Sequence, residues 1–314
     1  MESGKKLISV VTPCYNEETN IEEVYSQVKD VFQKLENYSY EHIFIDNASK
    51  DKTVQILKAI ASKDKNVKII VNSRNFGHIR SPFHGLLQSK GDAVILLVAD
   101  LQDPPQMIFD FISKWEQGYK IAIGVKKQSE ESFLMFQIRK SYYRIVNRLA
   151  ETELIKNFTG FGLYDKEIIN ILRDIDDPYP YFRGLICDIG FEKAQIEYVQ
   201  PSRKRGITAN NFYTLYDLAM LGITNHSKVP LRLATMIGMS ASVLSFFSAL
   251  GYFIYKLVFW NSFSVGIAPL VIGLFFFSAV QLFFIGIIGE YIGSIHTQVM
   301  KRPLVVEKER INFN

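Results

Sequence analysis

The residues of this chain best suited to chemistry stand together in Val94–Gln106, VILLVADLQDPPQ. An unbroken apolar run from Ala93 to Ala99 reads as a strand buried on both faces. Asp100, Gln102 and Asp103 follow at once, and Pro104-Pro105 forbids further strand and opens a helix predicted over Pro105–Gln117. A carboxylate and an amide at the carboxyl end of a buried parallel strand suit a hard divalent cation, and that edge of an open α/β sheet is where ligands bind. The same letters also fit a polar turn that caps a helix.

The elements needed to position that stretch are legible on either side of it. Leu7–Thr12 reads as a buried strand, and Pro13, Cys14, Tyr15 and Asn16 as its turn. Glu17 and Glu18 suit the first turn of a helix that carries Ile21, Val24, Val28, Val31 and Leu35 at helical spacing. His42–Ile45 is a second strand, ending in Asp46-Asn47-Ala48-Ser49, and Asp51 and Thr53 lead into a second helix. Val67–Val71, closed by Arg74-Asn75-Phe76-Gly77, is a third strand, and Ile121–Val125 a fifth. Such β-α alternation with short links predicts a mostly parallel sheet covered on both faces. Asn16-Glu17, Asp46 and Asp100 then share one edge of it and converge. Neither G-x-G-x-x-G nor G-x-x-x-x-G-K-[ST] occurs, which argues against a dinucleotide dehydrogenase or a P-loop enzyme.

The later segments differ in character. In Gln128–Glu151, Phe133, Phe136, Tyr142, Tyr143 and Ile145 share a predicted helix with Arg139, Lys140, Arg144 and Arg148. An aromatic apolar face beside a basic one suits a helix lying in a membrane interface, or an ordinary amphipathic core helix. Phe158–Tyr164 reads as a short strand at the edge of the site, Asp176–Gly184 as a turn presenting Arg183, and Phe191–Tyr198 as an edge strand. Arg203, Lys204 and Arg205 beside Gly206 form a cationic loop that could clamp phosphates or serve as a solvated linker. Phe212–Thr224 reads as a second amphipathic helix.

From Leu231 the chain turns apolar. Leu231–Val258 and Val265–Ile292 each exceed the roughly 20 residues that cross a bilayer, and the break Phe259–Ser264 carries Trp260 for the interface. Lys228 and Arg232 precede this hairpin and Lys301, Arg302, Lys308 and Arg310 follow it. Positive-inside counting therefore puts the soluble domain on the cytoplasmic side of the inner (plasma) membrane. Glu290 falls near the inner end of the second span, either at head-group level or as a functional intramembrane acid. Gly273, Gly286, Gly289 and Gly293 permit close helix contact within the hairpin or in a homo-oligomer. The expected units are 1–210, a juxtamembrane helix over 211–230, the hairpin over 231–295 and a cytoplasmic tail over 296–314. The formal net charge is only +4, too weak to argue for a nucleic-acid partner, and the two cysteines, Cys14 and Cys187, indicate neither a disulfide framework nor a cysteine metal site. No signal peptide is read at Leu7–Val11, which is too short for an apolar h-region.

VVTPCYNEE at 10–18, DNASKDKT at 46–53, RNFGHIRSPFHGL at 74–86 and ADLQDPP at 99–105 resemble the ordered motifs of glycosyltransferase family 2. With YFRGL at 181–185 and the terminal hairpin, the chain resembles the polyprenyl-phosphate glycosyltransferases, over nearly its whole length. The resemblance implies a GT-A fold and inverting transfer of a hexose from a nucleotide sugar, UDP-glucose by analogy, to a polyprenyl phosphate such as undecaprenyl phosphate. It implies that Pro13, Tyr15, Asn16, Glu17 and Asp46, with Asn75 and Gly77, hold the nucleotide. Asp100 and Gln102 would hold Mg²⁺ or Mn²⁺, and Arg183, Arg139, Arg203 and Arg205 would meet phosphates. Asp100, Arg183 and Asp165 are the catalytic candidates, although Asp165 reads equally as a helix cap.

This sequence departs from the family at two positions: Val98 replaces the first carboxylate of the usual Asp-Ala-Asp, and Gly160 stands where relatives often have Asp. A base at position 160 is therefore not carried over. A processive polysaccharide synthase shares the nucleotide-sugar domain but usually carries Gln-x-x-Arg-Trp, absent here; a degenerate nucleotide-binding membrane scaffold is the remaining alternative.

Overall fold

The β-α repeats expected of the first half of the chain are present. The computed structural model describes residues 4–127, 155–201, 220, 229–259 and 267–313. Its strands are β1 (Lys6–Cys14), β2 (Tyr38–Asp46), β3 (Val67–Asn72), β4 (Ala93–Leu96), β5 (Ile121–Lys126), β6 (Phe158–Asp165), β7 (Lys193–Tyr198) and β8 (Glu307–Ile311). They form an 8-stranded sheet in the order β7-β5-β6-β4-β1-β2-β3-β8. β1 pairs in parallel with β2 and β4, β2 with β3, and β5 with β7. The β3–β8, β4–β6 and β5–β6 pairs are antiparallel.

Helices α1 (Ile21–Gln33), α2 (Thr53–Lys63), α3 (Gly77–Leu87), α4 (Met107–Glu116), α5 (Lys166–Ile175) and α6 (Phe182–Asp188) cover both faces. On one face α1 buries Ile21, Val24, Val28, Val31 and Phe32, and α4 buries Met107, Ile108, Phe111 and Trp115, against Ile8, Val10 and Phe44. On the other, Phe83 and Leu86 of α3 and Ile168, Ile169 and Leu172 of α5 pack on Val11, Ile43 and Ile45. Neighbouring strand residues go to opposite layers because the strand period is two. Each such side chain contributes roughly 1.5–3 kcal/mol by leaving water. Toward the amino ends of the strands, buried Glu41 accepts hydrogen bonds from the Ser9 hydroxyl, the Lys68 ammonium and the Lys90 N–H. Burial pushes its carboxyl up, but these partners outweigh that and hold it below the usual range.

One expected boundary is corrected, and two other segments gain a definite place. β4 ends at Leu96 rather than Ala99: Leu97 N–H still reaches Val11 O at 2.9 Å, after which the chain leaves the ladder. The strand expected over Phe158–Tyr164 is present as β6 and lies antiparallel between β4 and β5. The tail read over 296–314 joins the sheet. Its residues 307–311 form β8, beside β3, and Asn312 donates to Ala61 O and Val67 O.

Helices α7 (Val229–Val258) and α8 (Ile267–Val299) contain stretches of 27 residues each that are long and apolar enough to cross a membrane. At about 1.5 Å per residue either exceeds the ~30 Å hydrocarbon core. Their side chains include Leu244 and Phe275, each 68% exposed, an apolar surface that lipid or protein must cover. The expected interfacial helix over 132–150 lies outside the described residues. So does most of the one over 211–230, described only at Met220 and from Val229, where α7 has begun.

Candidate active site

β2 and β3 follow β1 to one side, and β4 returns on its other side. The order of the parallel strands reverses there, which opens a crevice at the carboxyl ends of β1 and β4. Three non-glycine residues with left-handed backbone stand just beyond strand ends at this edge: Asn16 (φ 55°), Ala48 (φ 62°) and Leu101 (φ 57°). Each costs about 1–2 kcal/mol, and such strain collects where a loop is shaped for a ligand.

The loops after β1 and β2 are laced together. Asn16 N–H donates to Ser49 Oγ at 2.9 Å, and Lys50 N–H returns to Asn16 Oδ1 at 2.8 Å. Glu17 N–H donates to Thr53 Oγ1 at 2.9 Å, Glu18 N–H to Asp51 Oδ2 at 3.1 Å, and Lys52 N–H to Glu18 Oε2 at 2.9 Å. Asp46 is fully buried and receives both the N–H and the hydroxyl of Ser49. Burial raises its pKa despite those bonds, and burial together with the Asp46 charge pushes the Cys14 thiol up. Above this lacing Tyr15 is 40% exposed, an aromatic face free to stack.

Asn47, which the sequence offered only as part of a turn, is the hub of the next loop. Its amide donates to Asn75 Oδ1 at 2.9 Å and Gly77 O at 3.1 Å, and its Oδ1 accepts from Phe76 N–H at 2.8 Å and Asn72 Nδ2 at 3.2 Å. Asn75 Oδ1 also accepts from Gly77 N–H at 2.8 Å. The Asn75 oxygen is thus used in shaping the loop. Gly77 has φ 86°, a backbone favouring glycine.

Asp100, half-buried, accepts the Gln102 N–H at 3.1 Å. Asp103 beside it is 3% exposed and takes the Tyr198 hydroxyl at 2.5 Å. Burial drives Asp103 up to about 6, the Tyr198 bond and Lys126 oppose this, and the Asp100 charge adds to it. Asp103 and Tyr198 thus support the Asp100 loop, a role the sequence did not show. Among the described residues no cluster of three His, Cys, Asp or Glu side chains forms a metal cage. The donor set nevertheless fits Mg²⁺ or Mn²⁺ of the kind held by one or two carboxylates plus substrate phosphates: the half-buried Asp100 carboxylate and the Gln102 side-chain amide, with Asp103 taken up by Tyr198.

β6 runs antiparallel to β4, with Leu96 opposite Gly162 and Ala93 opposite Asp165. Its Phe158 end therefore lies at the crevice edge, where Arg183 Nη1 reaches Phe158 O at 3.5 Å. Its Asp165 end lies at the opposite edge. The catalytic assignment of Asp165 is corrected accordingly: it caps α5 by accepting the Glu167 N–H at 2.9 Å, takes Trp115 Nε1–H at 2.7 Å and pairs with Lys120 at 3.3 Å. Gly160 has φ 103°, a conformation that strains any Asp placed there. The structure thus brings Pro13, Tyr15, Asn16, Glu17, Asp46, Asn75, Gly77, Asp100, Gln102 and Arg183 to one edge; Arg139, Arg203 and Arg205 lie outside the described residues.

The family model of glycosyl transferase family 2 matches residues 9–172, from β1 into α5. The chain belongs to glycosyl transferase family 2. The uncharacterized glycosyltransferase YkcC of Bacillus subtilis is 34% identical over 299 residues, 95% of this chain and 92% of its own. The SfII prophage-derived bactoprenol glucosyl transferase of Shigella flexneri is 34% identical over 303 residues, 96% of this chain and 97% of its own. A prophage bactoprenol glucosyl transferase homolog of Escherichia coli K12 is 31% identical over 302 residues, 96% and 98%. Among solved structures, the mannosyltransferase PcManGT of Pyrobaculum calidifontis, in complex with GDP-Man and Mn²⁺, superposes with TM-score 0.48 at 15% identity over 71% of this chain and 63% of its own. The GT-A arrangement of this glycosyltransferase lies in its own sheet order and agrees with the family match.

Proposed function

We propose that this glycosyltransferase moves glucose from UDP-glucose to a polyprenyl phosphate such as undecaprenyl phosphate, at the cytoplasmic face of the inner membrane, with Mg²⁺ or Mn²⁺ bound. The observation that carries the reading is the joining of the crevice domain to the apolar helix α8. Gln298 near the end of α8 donates to Asp177 Oδ1 at 2.9 Å, and the Arg80 guanidinium donates to Pro303 O just beyond it. If α7 and α8 span the bilayer, the crevice side of α3 is held at the head groups, where a lipid phosphate is found. The names of the 31–34% identical relatives support glucose and a prenyl carrier.

A lipid monophosphate is already an anion at neutral pH, so Gly160 in place of a carboxylate removes nothing the step needs. One acceptor phosphate oxygen attacks the anomeric carbon in line, the bond from that carbon to the diphosphate oxygen breaks, and UDP departs with the electron pair. An α-linked donor thus gives a β-linked lipid phosphate sugar. Asp100 and Gln102 would hold the cation, which when bound neutralises the leaving diphosphate. Arg183 orients the incoming phosphate and screens its repulsion from the donor. The laced β1 and β2 loops hold the nucleoside without rearrangement.

In this reading the glycines of α8, around which a Cβ at 273, 286, 289 or 293 would meet no other atom within 4 Å, face lipid or another copy of the chain. The test is a screen of radiolabelled nucleotide sugars with undecaprenyl phosphate in membranes holding the full chain. Label passing into the lipid phase from UDP-glucose as a β-linked product supports the proposal; label that stays aqueous with every donor rejects it.

A further inference from the structure

The side of the domain turned toward α8 collects cations that no described carboxylate pairs. Arg74 lies with its guanidinium carbon 4.0 Å from the centroid of the Phe76 ring, and Arg80 lies 5.3 Å from the same ring. The Arg80 fork donates to Pro303 O, which brings Arg302 beside it, and its Nε is buried without a partner. Arg183 stands over the Tyr181 ring at 5.5 Å, and its charge reaches His78. Among the described residues no carboxylate pairs with Arg74, Arg80, Arg183 or Arg302. Elsewhere in the domain Lys29, Lys58, Lys68, Lys120 and Arg310 each have one. Burial first, then the charges of Arg74 and Arg302, depress the Arg80 pKa, while desolvation and then Arg183 lower His78.

The fold keeps this repulsive group in place. β8 pairs with β3, His84 bonds Glu307 at 2.6 Å and Lys58 bonds Glu309 at 2.6 Å, so the segment from Val299 to Glu307 is anchored at both ends. Arg302 is thereby fixed opposite α3, directly after the apolar helix. Like charges held together at a loss by the fold make a site for an anion.

We infer that Arg74, Arg80 and Arg302 form a binding site for the terminal phosphomonoester of the lipid acceptor, at the bilayer-side mouth of the crevice. The inference rests on the proposed reaction and deepens it. A phosphomonoester presents three open oxygens to the guanidinium forks. A bulk phosphodiester lipid, substituted on both sides, presents only two. From there Arg183 and His78 continue the cationic path inward. The strand that ends the chain thus has a task at the site: it delivers Arg302.

The test uses the full chain in nanodiscs, with Arg302→Gln, Arg80→Gln and Arg74→Gln. The Arg302 side chain makes no hydrogen bond or ion pair among the described residues, so its variant stays informative if loss of the Pro303 contact unfolds Arg80→Gln. Each variant should raise the KM for undecaprenyl phosphate about tenfold, the loss of one charge-assisted bond, and leave the KM for UDP-glucose unchanged. Farnesyl phosphate should protect the wild type from thermal unfolding more than Arg302→Gln. The defect should be equal in phosphatidylcholine discs and in discs containing phosphatidylglycerol. An unchanged acceptor KM, an equal rise in donor KM, or a defect confined to the phosphatidylglycerol discs overturns the assignment while leaving the reaction standing. A wild type that glucosylates no prenyl phosphate, yet turns over another acceptor, overturns the reaction, and with it the acceptor site.

Discussion

The two walls of the crevice are built on opposite principles. On the wall formed by the β1–α1 and β2–α2 loops, polar groups answer one another: Asn16 with Ser49 and Lys50, Glu18 with Lys52, Asp46 with Ser49. On the wall formed by α3, α6 and the returning tail, Arg74, Arg80, Arg183 and Arg302 have no carboxylate partner among the described residues. A satisfied wall is rigid before its ligand arrives and suits a ligand read by shape, such as a nucleoside. An unsatisfied wall of one sign is completed by its ligand, and here that ligand must be an anion.

This contrast can be broken at several points. The largest effect is expected where the walls meet: Asp100→Ala should lower turnover by about 10³-fold or more with an unchanged circular dichroism spectrum, measured by lipid-phase label; near-normal turnover removes its role. Glu41→Gln, far from both walls, should destabilise the fold by about 3 kcal/mol, because half-buried Lys68 loses the buried carboxylate that pairs it, with donor and acceptor KM unchanged. Its pH dependence has a definite sign. The folded carboxyl lies below its ordinary value, so its stabilisation is present at pH 7 and lost as pH falls through the folded value. Melting temperatures of wild type and Glu41→Gln should therefore converge as the pH is lowered below 4.5.

Asn47→Ala sharpens the contrast from the donor side. It orphans the Phe76 N–H and removes one of the two acceptors of the Asn72 amide, leaving it Ser81 Oγ, which should cost about 2 kcal/mol and raise the UDP-glucose KM more than the acceptor KM. The smallest effect belongs to Asp165→Asn: about 1 kcal/mol from the weakened cap and lost Lys120 pair, with unchanged turnover. A large loss of turnover there would restore Asp165 to the catalytic set.

Asp46 and Asp100 were legible because each ends an apolar run, and a parallel sheet sends such ends to one edge. Asp165 misled because it is near FTGFGLY in sequence, and sequence says nothing about the direction of a strand. Antiparallel pairing carries the chain about 3.3 Å per residue across the sheet, so Phe158 and Asp165 finish at opposite edges. Asn47 could not be singled out: an Asn in a turn is commonplace, and its partners Asn72 and Phe76 come from another loop. β8 was hidden by its letters. EKERI alternates nothing apolar, because an edge strand facing water carries charges that discourage further pairing. Once β8 is in place, Arg302 ceases to be a topology signal alone and becomes part of the site.

The central claim, that Asp100 carries the cation that ties the donor diphosphate to the crevice, is tested most directly by isothermal titration of UDP-glucose into full-length wild type and Asp100→Ala, each with Mg²⁺ and with EDTA. The expected result is a wild-type affinity at least about tenfold weaker in EDTA, and an Asp100→Ala affinity that is equally weak with or without the metal. An Asp100→Ala protein that still gains affinity from Mg²⁺ as the wild type does would contradict it.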